Sequence, residues 1–211
     1  MATSDTACSL RANLRRLWAD HAIWTRQYIV AFAADAPDAG TAATRLLKNQ
    51  EHLGNAIVPF YGQAAGTALT DLLKQHILIA VDLLAAAKAG DDARFQQEDQ
   101  KWSRNAEEIA ALLSGANPNW PKADVLDLLT THLNLTKGEA VARLTGKWDD
   151  DVTAFDDIFT EILTVSDTLA DGIVRQFPQK FAEPAVPTLV AVAAPAPPAR
   201  RGLARVFGRG R

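Results

Sequence analysis

One cysteine, Cys8, in 211 residues is too few for a disulfide framework or a multi-thiolate metal cluster. That scarcity fits a reducing compartment, so a cytoplasmic location is the expectation. Long apolar runs are missing too. The longest, residues 77–87, is interrupted by Asp82 and falls far short of the roughly 20 residues a membrane-spanning helix needs. The polar opening Ser4-Asp5-Thr6, with no basic stretch followed by an apolar one, does not read as a secretory signal. Phosphate-binding and dinucleotide-binding glycine loops, the Gly-x-Ser-x-Gly elbow and His-Glu-x-x-His are all absent, which removes the enzyme classes built on them. No segment alternates with a period of two and β-branched enrichment, so strands are not expected.

What remains is helical signal in a chain that is 48% hydrophobic and 22% charged. Leu10, Leu14, Leu17, Trp18, His21, Trp24, Tyr28 and Phe32 recur at intervals of three and four, the spacing that stacks side chains on one helix face. A second face runs through Leu69, Leu72, Leu73, His76, Ile79, Leu83 and Ala87, and a third through Val125, Leu128, Leu129, His132, Leu135 and Ala142. Helical stretches are also predicted over residues 41–58, 92–113 and 150–177. Pro37, Pro59-Phe60-Tyr61-Gly62, Gly90, Asn117-Pro118-Asn119-Trp120-Pro121, Gly146 and Pro178 fall where these stripes end. Asp91-Asp92 and Asp149-Asp150-Asp151 stand at helix starts, where carboxylates cap free N–H groups and meet the positive end of the dipole. The five tryptophans, Trp18, Trp24, Trp102, Trp120 and Trp148, are expected to close the core.

The three long helices share more than their period. Leu17-Trp18-x-x-His21-x-x-x-Thr25, Leu72-Leu73-x-x-His76-x-x-x-Ala80 and Leu128-Leu129-x-x-His132-x-x-x-Thr136 align on histidines 55 and 56 residues apart. In the returning helices, Leu46-x-x-Asn49-x-Glu51-x-Leu53 resembles Trp102-x-x-Asn105-x-Glu107-x-Ile109. The third unit matches only loosely, through Ile162, Asp167 and Leu169. The fold class predicted is all-α: an antiparallel bundle of five to six helices made of three related αα-hairpin repeats, followed by a disordered Ala/Pro-rich C-terminal tail.

All three repeat histidines lie on apolar stripes and should point inward. Three converging imidazoles, with Glu139 on the same face as His132 and Glu51, Glu107 or Asp167 on returning helices, suit iron, zinc or copper. The plainer alternative is that each is a core histidine bonded to a backbone carbonyl, an Asn or a Trp neighbour. His52, outside the pattern, reads as a solvated helix residue. Cys8, in a frayed N-terminal region, lacks a positioned base and is not expected to act as a nucleophile.

Composition changes after Phe181. Residues 1–181 read as the helical body, 182–199 as an Ala/Pro-rich spacer, and 200–211 as a basic tip. That tip has five arginines and no acid, so with a total of -3 the rest of the chain carries -8. Arg201, Arg205 and Arg209 recur every fourth residue, offset from Leu203, Val206 and Phe207. A turn or two of helix would separate the two sets. Such a peptide suits an acidic groove on a protein partner, a shell or an anionic surface, and nucleic acid less well.

His21-x-x-Trp24-Thr25-Arg26, Pro59-Phe60-Tyr61-Gly62, Leu135-Thr136-Lys137-x-Glu139-Ala140-x-Ala142-Arg143-Leu144-x-Gly146 and Gly172-Ile173-Val174-x-Gln176-Phe177-Pro178 together resemble an uncharacterised group of bacterial helical proteins. The likeness covers about residues 10–180. It implies a bacterial all-helical domain and brings no activity with it. The leading expectation is thus a non-enzymatic binding or structural bundle tethered through Arg201, Leu203, Arg205, Val206, Phe207 and Arg209, with no cofactor. The alternative is a metal-binding bundle, with oxidoreductase activity open to it, whose ligands are His21, His76, His132 and Glu139. Oligomeric state and turnover are left open by the sequence.

Overall fold

A computed structural model describes residues 5–182. Those residues form five helices, α1 (Asp5–Ala33), α2 (Ala39–Ala89), α3 (Asp92–Ala116), α4 (Lys122–Leu144) and α5 (Trp148–Gln176), followed by a short 3-10 turn at Pro178–Lys180. No strand occurs among the described residues, and no helix among them is long and apolar enough to cross a membrane. The spacer and basic tip predicted over 182–199 and 200–211 lie outside the described residues, apart from residue 182.

Each break anticipated in the sequence ends or bends a helix. Gly90 (φ 67°) and Gly146 (φ 72°) take the left-handed conformation just past α2 and α4, where only glycine avoids a Cβ clash. α2 is two arms, residues 39–61 and 63–89, because Pro59 removes a helical N–H and Gly62 leaves helical geometry at φ 82°, ψ 170°. The arms fold back on each other: a Cβ on Gly54 would overlap Thr70 and the backbone of Gly66, and Lys74 pairs with Glu51 at 2.7 Å. Glycine at 54 and 66 is what lets the two backbones approach.

The helices pack α1 on α2, α2 on α3, α3 on α4, α4 on α5 and α5 on α1, closing a bundle round one large core. One end is sealed by three of the breaks. Tyr61 donates to Gln176 Oε1 (2.8 Å), Asn117 Nδ2 donates to Tyr61 (2.9 Å), and Gln176 Nε2 donates to the Ala116 carbonyl (3.0 Å). Trp120, Phe60 and Phe177 pack round that network. Gly172 admits the Trp120 indole, which a Cβ there would displace.

Some sequence expectations are corrected. Asp91 does cap α3, accepting from the Arg94 N–H at 3.0 Å. Asp151 does not cap α5: it is 1% exposed and turned toward Arg26 and Arg143. Trp148 is 58% exposed under the Arg143 guanidinium, and Trp24 is half-buried against Arg45, so only Trp18, Trp102 and Trp120 are fully core residues. Cys8 lies within α1, exposed, and His52 is half-buried.

Candidate functional site

His21 on α1, His76 on the second arm of α2 and His132 on α4 are 3%, 3% and 5% exposed. Their rings meet: His21 and His132 have centroids 5.6 Å apart, His76 and His132 6.3 Å. All three line one small cavity, together with Thr25, Tyr28, Trp102 and Thr136. Its interior is small, about 20 Å³, the space of one water-sized molecule and too little for an organic substrate. Most of its wall is apolar: Leu46, Ile77 and Val81 line it, with Tyr28, Leu84 and Ala140 from a smaller apolar cluster.

Each imidazole is held through Nδ1 by the residue 29 positions further on. His21 meets Gln50 Nε2 at 3.3 Å, His76 meets Asn105 Oδ1 at 2.9 Å, and His132 meets Glu161 Oε2 at 3.0 Å. The partners fix the protons. Asn105 spends its NH₂ on the Leu72 carbonyl (3.0 Å), so its oxygen accepts from His76 Nδ1–H and leaves Nε2 with a lone pair. The carboxylate of Glu161 also accepts, with the same result at neutral His132. Gln50 differs. Its NH₂ donates to the Leu46 carbonyl at 2.8 Å, lies 3.2 Å from Asn49 Oδ1, and so faces His21 Nδ1 as a donor, placing that proton on Nε2. Gln50 Oε1 is buried without a partner. Asn49 takes the remaining role of Asn105, donating to the Leu17 carbonyl at 2.9 Å.

Burial keeps two of these rings uncharged. It holds His21 well below its ordinary pKa, helped by the neighbouring His132 and His76, and it lowers His76 to about 3 with His132 adding to the effect.

Glu139 is placed elsewhere. Two turns beyond His132, it is 1% exposed and bound to Arg26 Nη1 at 2.7 Å. Arg26 also grips both oxygens of Asp151 at 3.0 Å, and Arg143 reaches Asp151 at 3.2 Å. Phe155 packs under the Arg26 guanidinium. The ion pair pulls the Glu139 pKa down, yet burial outweighs it, with Asp151 adding to the rise, and the carboxyl is pushed up to about 7. Of the other acids considered, Glu51 binds Lys48 and Lys74, Asp167 binds Arg15, and Glu107 is exposed. None of them joins the imidazoles. The carboxylate that does is Glu161.

Among the described residues no group of three or more His, Cys, Asp or Glu side chains is placed so that it could hold a metal ion. The tail residues Arg201, Leu203, Arg205, Val206, Phe207 and Arg209 lie outside the described residues. In comparisons with known proteins the chain matches no family model, no curated protein and no solved structure.

Proposed function

We propose that this protein is a metal-binding helical bundle whose centre is the three-imidazole cavity, with His21, His76 and His132 as ligands and iron, zinc or copper as the ion. The carrying observation is that three histidines from three separate helical segments line one ion-sized cavity, each held at Nδ1 by a polar residue 29 positions later. Fixing one ring nitrogen by a hydrogen bond is how proteins aim the other at a metal. Neutral imidazoles are the ligating form.

Ligation at about 2.1 Å from Nε2 in a tetrahedral set puts ring centroids roughly 5 Å apart. His21 and His132, at 5.6 Å, are near that spacing, and His76, at 6.3 Å from His132, would draw in by about 1 Å. His21 must in addition move its proton to Nδ1. A turn of the Gln50 amide supports this step, since it presents the partnerless Oε1 to that proton.

The equal offset of 29 also supports reading the chain as three αα-hairpin repeats, each contributing one histidine and one partner. Tethering through the Arg-rich tip is compatible with a metal-binding body and rests on the charge separation in the sequence. The test is metal content of untagged protein from its native host beside a His21/His76/His132 triple Ala variant. One iron, zinc or copper per chain, lost in the variant with helicity retained, is expected. Metal-free protein that also takes up none of the three ions on dialysis would sink the proposal.

A further inference from the structure

Near its start, α5 carries an apolar stripe bordered by acids. Trp148, Val152, Phe155 and Phe159 recur at intervals of four, three and four, which sets them on one side of the helix. Trp148 and Val152 are more than half exposed, and Phe155 and Phe159 are half-buried with rings 6.0 Å apart. The pairs Arg15–Asp167 and Arg26–Asp151 run α1 antiparallel to α5, so Ile23, 46% exposed, stands level with the stripe. Asp149, Asp150, Asp156 and Asp157 border it, all exposed and none in an ion pair among the described residues. The cations at this end are Lys147, exposed, and Arg143, which lies over the Trp148 ring and is already paired with Asp151. An open hollow of about 360 Å³, lined by Gly146, Lys147, Trp148, Asp149 and Asp150, notches the start of the stripe.

We infer that this face of α5 receives the basic tip of the same chain, residues 200–211, with Leu203, Val206 and Phe207 on the apolar stripe and Arg201, Arg205 and Arg209 against the acids. The inference stands apart from the metal reading. Charge selects the occupant: the tip has five arginines and no acid, and the face offers four carboxylates without a counter-ion. Pattern agrees with charge, since both segments keep apolar and ionic residues in separate rows, as a peptide laid along a helix requires. Length permits the contact. The described chain leaves the body beyond the far end of α5, where Phe181 stacks on Phe60. From there the 29 residues of α5 span about 43 Å, and the 18 Pro-rich residues of 182–199 reach up to about 56 Å. A spacer of this kind also holds the tip near α5 at an effective concentration on the order of 1 mM, which favours the chain's own face over that of a second copy. Any other surface that captures the tip then competes with α5 for it.

The test is spin-label broadening in the full-length protein. With Cys8→Ser and Gly210→Cys, a nitroxide on the tip is expected to erase the amide signals of residues 148–159 and to spare those of α3, which packs between α2 and α4. Raising salt from about 0.1 to 1 M, which shortens the screening length from about 10 to 3 Å, is expected to restore the lost signals. Asp156→Asn with Asp157→Asn should restore them too. So should Arg201→Ser, Arg205→Ser and Arg209→Ser together, which change no described residue and keep the test informative if the acid variant does not fold by circular dichroism. Undiminished signals from 148–159 in the labelled protein overturn the inference, as does a loss that persists in the arginine variant. A mixture of nitroxide-bearing protein with label-free nitrogen-15 protein is expected to show no broadening. Broadening there as strong as within one chain gives the face to a second copy and overturns the inference.

Discussion

His132 and Glu139 stand seven residues apart on α4, yet they belong to polar regions built on opposite terms. Around His132, three imidazoles each have a single Nδ1 partner, and Gln50 Oε1, Glu161 Oε1, Thr25 Oγ1 and Trp102 Nε1 are buried with none. Around Glu139, Arg26 contacts two carboxylates, Asp151 receives two guanidinium groups, and an aromatic ring backs the cation. The ion cluster is close to saturated and ties α1, α4 and α5 together at one place. The imidazole layer keeps unused bonding capacity around an ion-sized space. Equal burial therefore does not mean equal bonding: the ion cluster pairs its charged groups, whereas the imidazole layer leaves several buried polar atoms without a partner.

The comparison breaks most visibly at Asp151. Asp151→Asn keeps the shape and removes the charge that Arg26 and Arg143 share, leaving Arg26 with Glu139 alone and Arg143 without its carboxylate. Removing one partner of a buried pair costs about 3–5 kcal/mol. The low end is expected here, because the arginine side chains retain 21% and 23% exposure. Urea unfolding measures it. A loss under about 1 kcal/mol would make the cluster a surface-type ion network instead.

Glu139 sharpens the same contrast through pH. Its folded pKa of about 7 exceeds its reference value of 4.5, so between these values the native state holds a proton that the unfolded chain has released. Stability from this group is full below pH 4.5 and is lost as pH rises through 7. The total change is up to about 3 kcal/mol. Glu139→Gln is expected to remove that slope from unfolding curves taken between pH 5 and 8, leaving the variant the less pH-sensitive protein. Parallel slopes would mean that Glu139 stays ionised beside Arg26.

The helices and their ends were legible because their signals are local. Gly90, Gly146 and Pro59 mark ends or bends through backbone sterics that a neighbouring residue cannot overrule. The inward histidines were legible from their period. Their partners were not, because Gln50, Asn105 and Glu161 share an offset and no chemistry, and aligning Asn49 with Asn105 hid that offset by one residue. Counting 29 from each histidine would have found Glu161. The Arg26–Asp151 pair spans 125 residues, and no local pattern announces it. The acidic triplet at the start of α5 suggested capping for all three acids, although helical rotation turns the third inward. Trp148 escaped the core for a related reason: it begins α5, and the Arg143 guanidinium covers it where no helix does.

Glu161→Gln is the smallest change and the closest counterpart to Asp151→Asn, since both turn an acid into its amide. Glu161 contacts one imidazole at 3.0 Å, and its second oxygen has no partner. Replacing it therefore leaves no guanidinium uncompensated, and the new carbonyl can still accept from His132 Nδ1–H. The His76–Asn105 pair does the same work at 2.9 Å with a neutral amide. A folding change within about 1 kcal/mol follows, because the lost charge-assisted bond is offset by no longer burying a carboxylate. Metal affinity should respond more, falling by about 10–100-fold, since a carboxylate behind a ligating imidazole raises its basicity. Competition against a chelator of known affinity reads this directly. Unchanged affinity together with a large loss of stability would place Glu161 with the structural ion cluster.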